Sequence, residues 1–195
     1  RDSYETKGFL IFQKEETIPK LVKALVNGIQ IQTHAIGDLA NKITLDWYEE
    51  AFNKVSPENR IIENPRWRVE HAQNIKPEDQ QRYSDLEVIA SMQPSHAIGD
   101  LHFAHKRLGE ERLKDAYTWK KLIELGVVVV GGSDAPVEIG DPRIEFKAAV
   151  SLAWPSAANA LPLCRRRPAH MPEVLSPHST GSEGPPVACL LYTSP

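Results

Sequence analysis

Helical and strand-like periodicities alternate along residues 1–150. KEETIPKLVKALVNG carries Ile18, Leu21, Val22, Leu25 and Val26 at helical spacing and stops at Asn27-Gly28. IQIQTH alternates as a strand does. DLANKITLDWYEEAFNKV reads as a helix with Asp38 as its N-cap. RWRVEH is a short strand, and KPEDQQRYSDL a helix with Pro77 in its first turn. EVIASMQ is a strand, EERLKDAYTWKKLIELG one long amphipathic helix ending at Gly126, VVVVGGSD a buried strand, and DPRIEFKAAV the start of a last helix. The order α-β-α-β-α-β-α-β-α predicts an α/β fold with a parallel sheet and crossover helices. Two architectures meet that description: a doubly wound open sheet and part of a (β/α)8 barrel. Four strands in this length amount to half a barrel.

Composition narrows the function. The 195 residues can bury a core of their own. A net charge of −3 gives no basic footprint, so nucleic acid is not an expected partner. No apolar run reaches membrane-spanning length and the start has no signal-peptide features, so no membrane partner is expected and the location is read as cytoplasmic. The chain does not begin with Met, and position 1 is not read as a natural start. Cys164 and Cys189 are the two cysteines, which leaves no disulfide and no thiolate metal ligand in residues 1–150. Past that point the character changes. Residues 151–195 hold more than half of the 15 prolines, no Lys and no clear period. The expected division is therefore a partial barrel over 1–150 and an irregular Pro/Ser-rich tail over 151–195, disordered or non-native.

Each predicted strand ends in a group that can bind a metal or move a proton: Thr33-His34, Glu70-His71, the segment Gln93–His96, and Ser133-Asp134. In α/β folds the site lies at the carboxyl ends of the strands. Side chains two apart share a face, which puts His34 with Gln30 and Gln32, and His71 with Val69 and Trp67. Arg68 and Glu70 are then expected to point to the helix layer, paired with each other or with helix charges. Neutral imidazoles with a carboxylate suit Zn²⁺ and similar ions, which activate water. An Asp beside such a site can carry the water's proton to a leaving amine. Against this, a lone His at a strand end is commonly a hydrogen-bonded structural residue. His102 and His105 are read as surface groups, Ser133 lacks an activating pattern, and Trp47, Trp67 and Trp119 are read as packing. The pentapeptide HAIGD occurs at both 34–38 and 96–100. Beyond the Leu that follows each copy nothing aligns, each copy is placed where a strand runs into a loop, and the identity is read as coincidence.

THAIGD, RVEHAQ, ASMQPSH and RLGEERLKDAYTWKKLIELGVVVVGGSDAPVEIGDPR, in that order, resemble the amidohydrolase superfamily. They are most similar to its family 3 branch, the YtcJ-like metal-dependent hydrolases that include N-substituted formamide deformylases. The resemblance spans about residues 5–150 and implies a (β/α)8 barrel of which this chain holds strands 5 to 8. It implies hydrolysis of C–N bonds in a small amide-like substrate with a divalent metal, usually zinc. His34, His71 and Asp134 then resemble metal ligands, Asp134 also the general base and acid, and Gln93 and His96 line the substrate side. The family's first-strand H-x-H pair and its fourth-strand ligand have no counterpart here. The alternatives are a half-barrel with no activity of its own, free to associate with a second copy, and a metal-dependent phosphoesterase.

Overall fold

A computed structural model describes residues 8–151, together with the backbone of 187–190. The elements are α1 (Lys14–Val26), β1 (Gln30–Ala35), α2 (Asp38–Lys54), a 3-10 turn (Pro57–Asn59), β2 (Arg68–His71), α3 (Pro77–Asp85), β3 (Ile89–Met92), α4 (Pro94–Asp100), α5 (Ala104–Leu113), α6 (Trp119–Glu124), β4 (Val129–Gly131), α7 (Pro142–Ser151) and β5 (Val187–Leu190). All pairings are parallel and the strand order is β4-β3-β2-β1-β5. From β1 to β4 each strand lies beside the next in sequence. Within those four strands the order does not reverse; it does so at β1, where β5 pairs on the far side.

The alternation of β1 is visible in its burial. Ile31, Thr33 and Ala35 are buried, whereas Gln30, Gln32 and His34 are half-buried. Helices α1, α2, α3 and α6 pack in succession, and α1, α2 and α6 also meet the sheet. Their core is built on Leu21, Leu25, Leu45, Tyr48, Trp67, Tyr83 and Leu122. Burying a side chain of this size is worth about 1.5–3 kcal/mol. Tyr48 adds a polar tie: its hydroxyl lies 2.6 Å from Thr33 Oγ1 and donates to the Arg68 carbonyl at 3.0 Å, joining α2 to β1 and β2. Trp47, Trp67 and Trp119 are all buried, and His102 and His105 are exposed, as expected.

Four expectations are corrected. The register pairs Gln32 with Arg68 and His34 with Glu70, so Arg68 and Glu70 share the face of His34 rather than the helix layer. Val69 and Trp67 take the helix side, at 0% and 1% exposure. Arg68 does lie near Glu70, Nε to Oε1 3.9 Å, and it donates to Gln30 Oε1 at 3.0 Å. Second, the long helix expected over residues 110–126 is two. Tyr117 turns left-handed (φ 53°), its N–H donates to the Gln73 carbonyl at 2.7 Å, and the Ile75 N–H donates to the Asp115 carbonyl at 3.0 Å. Pairing with the loop after β2 outweighs helix continuation there. Third, α2 starts one residue earlier than expected: Gly37 is the N-cap, Asp38 is the first helical residue, and Asp38 Oδ1 accepts from the Leu39 N–H at 3.0 Å. Fourth, the tail is not irregular throughout, because Val187–Leu190 pairs with β1 from Gln30 to Thr33. The rest of the segment expected to be a disordered or non-native tail lies outside the described residues, beyond Ser151 of α7.

Candidate metal centre

The carboxyl ends of β2, β3 and β4 bring three candidate groups together. His71 ends β2, His96 lies in α4 just after β3, and Asp134 follows β4. One ligand atom from each lies within 4.8 Å of the others. His71 Nε2 stands 3.9 Å from Asp134 Oδ2, and the His71 and His96 rings stack at 5.7 Å with an interplanar angle of 12°. His34, at the end of β1, presents its ring edge-on to His71 with centroids 4.3 Å apart. By register His71 aligns with Ala35, on the helix side. Its backbone is left-handed (φ 72°), as is that of Ala72 (φ 43°), and this breaks the alternation and brings the ring over to His34. Asp134 is left-handed as well (φ 57°). Such conformations cost about 1 kcal/mol or more in residues other than glycine and gather at functional sites.

Of the expected site residues, the structure brings His71, His96 and Asp134 into one compact group. His34 is one ring removed from it, and Gln93 is buried, at 5% exposure, with its Nε2 donating to the Ser91 carbonyl at 3.5 Å. His96 is not on a strand, because β3 ends at Met92 and Pro94 opens a helix. The two HAIGD copies therefore differ in structure. The first runs from strand end to helix start, and the second lies wholly within α4.

The electrostatics favour neutral imidazoles. Burial lowers the pKa of His34 to about 4, reinforced by His71 and opposed by Asp134. Burial also lowers that of His71, against the pull of Asp134. His71 Nδ1 and His96 Nε2 are buried without a hydrogen-bond partner. The nearest carboxylate to His96 Nε2 is Glu138 Oε1, at 3.7 Å. Orphaned buried imidazole nitrogens beside a carboxylate fit a divalent ion that accepts N and O donors.

Sequence reasoning passed over the groups that hold this centre. Asn41, fully buried in α2, donates to the carbonyls of Ala35 (3.1 Å), Gly37 (2.9 Å) and Asn74 (3.2 Å), which joins the loops after β1 and β2. Asp100 accepts from Gln73 Nε2 and from the Tyr117 hydroxyl, each at 2.6 Å. The weak signal was an Asn one turn into a helix that follows a candidate ligand.

The amidohydrolase family model matches residues 1–172. The chain belongs to the amidohydrolase family. The match bears out the resemblance seen in the motifs. Among its amidohydrolase relatives is the putative amidohydrolase YtcJ of Bacillus subtilis, 34% identical over 151 residues, which are 77% of this chain and 27% of that protein. Protein LONG AFTER FAR-RED 3 of Arabidopsis thaliana is 33% identical over 76% of this chain and 25% of its own length. Two solved structures titled as metal-dependent hydrolases also align. The one from Pyrococcus furiosus has a TM-score of 0.70 and 30% identity over 82% of this chain and 31% of that one. The one from Pyrococcus horikoshii has a TM-score of 0.65 and 32% identity over 76% and 28%. This amidohydrolase chain thus spans about a quarter to a third of the length of the relatives it matches. No helix among its described residues is long and apolar enough to cross a membrane.

Proposed function

We propose that this chain contributes part of the active site of a metal-dependent hydrolase that cleaves C–N bonds in small amide-like substrates. The observation that carries the reading is the convergence of His71, His96 and Asp134 within 4.8 Å, with two imidazole nitrogens unpartnered. We read β1 to β4 as barrel strands 5 to 8, in keeping with their consecutive parallel order. His71, His96 and Asp134 would hold the ion, zinc by its preference for imidazole and carboxylate, with His34 facing it from β1. A divalent ion there supplies a Lewis acid that acidifies water and polarises a carbonyl. Asp134 is exposed enough to meet substrate, its side chain 40% accessible. It takes a proton from the water that attacks the carbonyl carbon and returns it to the nitrogen as the C–N bond breaks. Gln93 and the neutral imidazoles keep a fixed, largely desolvated wall beneath that carbon.

The test is zinc titration of the purified chain, followed by an assay of a full-length relative carrying the same motifs on non-peptide amides, carboxyl esters and phosphoesters. Zinc uptake that vanishes in His71→Ala, with turnover of amides in the relative, is expected. Turnover of phosphoesters alone would overturn the C–N assignment.

A further inference from the structure

Helix α4 carries His96 into the metal centre, yet its N-terminal turn is held from a different helix. Glu145, on α7, is 8% exposed. Both of its carboxylate oxygens are spent on one residue of α4: Oε1 accepts from the Ser95 hydroxyl at 2.5 Å and Oε2 from the Ser95 N–H at 3.0 Å. The two residues are 50 apart in sequence. Ser95 immediately precedes His96, and α7 follows the loop that carries Asp134. The far end of α4 has its own anchor, where Asp100 accepts from Gln73 and Tyr117. A buried carboxylate is costly unless its hydrogen bonds are satisfied, so a pair that uses both oxygens has a narrow range of positions.

We propose that Glu145 is a positioning residue: by clamping Ser95 it sets the stacked orientation of His96 against His71 and couples that orientation to the helix behind Asp134. The proposal rests on the reading of His96 as part of the metal centre, but the placement it asserts can be observed without metal. Groups that orient ligands in this way commonly change metal affinity by 10–100-fold when removed.

The experiment is imidazole NMR of the full metal-free chain, comparing wild type with Glu145→Ala, Glu145→Gln and Ser95→Ala, followed by addition of zinc. The His96 ring protons feel the ring current of His71, so their shifts report the stacking. In Glu145→Ala they are expected to move toward free-imidazole values while those of His34 stay, and zinc affinity is expected to fall about 10–100-fold. Glu145→Gln, which keeps one acceptor oxygen, should fall between. Unchanged His96 shifts in folded Glu145→Ala overturn the proposal. Should that variant not fold, unchanged shifts in both Glu145→Gln and Ser95→Ala overturn it equally. A wild-type chain that takes up no zinc refutes the metal reading instead, and the metal-free shifts still decide the clamp.

Discussion

Tyr83, fully buried on α3, donates a 2.6 Å hydrogen bond to Asn41 Oδ1, and the Asn41 amide donates in turn to carbonyls on the loops after β1 and β2. Burial pushes the tyrosine hydroxyl well above its usual pKa, so it remains a donor at any physiological pH. One side chain thereby holds together the loops that deliver His34 and His71.

Asn41→Ala should be among the most damaging substitutions away from the proposed ligands. It strands a buried hydroxyl and several carbonyls, each costing about 1–3 kcal/mol. A loss of about 3 kcal/mol or more is expected, measured as a lowered urea midpoint. Tyr83→Phe leaves a single acceptor unpaired, and about 1–2 kcal/mol is expected.

Acidification should destabilise the metal-free chain over a defined window. His34 titrates near 6.5 when unfolded and at about 4 when folded. Its folded pKa is depressed, so below 6.5 the unfolded state binds the extra proton. The stability present at pH 7 is then lost progressively down to about 4. His34→Gln should flatten that part of the profile in chemical denaturation at stepped pH. A profile unchanged by the substitution would show that burial of this imidazole does not matter.

Removal of a proposed ligand should separate binding from folding. Asp134→Asn keeps the size of the side chain and a carbonyl oxygen, so the fold should persist by circular dichroism. Zinc affinity is expected to drop at least about 10-fold through loss of a charged donor. In a full-length relative, the matching change should lower kcat by about 100-fold or more, because the proton carrier is gone.

Asp100 offers a test of the second HAIGD. Asp100→Ala removes an acceptor shared by Gln73 and Tyr117. About 1–2 kcal/mol of stability should be lost, discounted for partial exposure. Hydrogen exchange should quicken in residues 73–75 and 115–117, which pair through Tyr117 to Gln73 and Ile75 to Asp115.

Much of this was legible in the residues. Ile31, Thr33 and Ala35 against Gln32 and His34 announced both strand and face, because alternation survives tertiary context when one side is covered by helices. Asp134 and His71 were singled out because strand ends are where α/β sites lie, and the structure brings them close together. The errors also have causes. His71 was given the face of Val69 because period-2 logic assumes extended backbone, and a left-handed residue lies outside it. Residues 114–118 looked helical because their apolar spacing is helical, and the partner that interrupts them, residues 73–75, is distant in sequence. His96 was placed where a strand runs into a loop, because EVIASMQ gives no sign that Pro94 begins a helix. Glu145 could not be found at all, since its partner is 50 residues away.

The left-handed backbones of His71 and Asp134 bear on how such a chain tolerates change. Glycine adopts those backbone angles freely, so at positions 71 and 134 the substitution that relaxes the chain is also the one that deletes a proposed ligand. A library sorted for thermal resistance alone should therefore drift toward glycine at both positions and lose its affinity for metal. A library sorted for metal capture should retain histidine and aspartate there and tolerate the lower melting temperature.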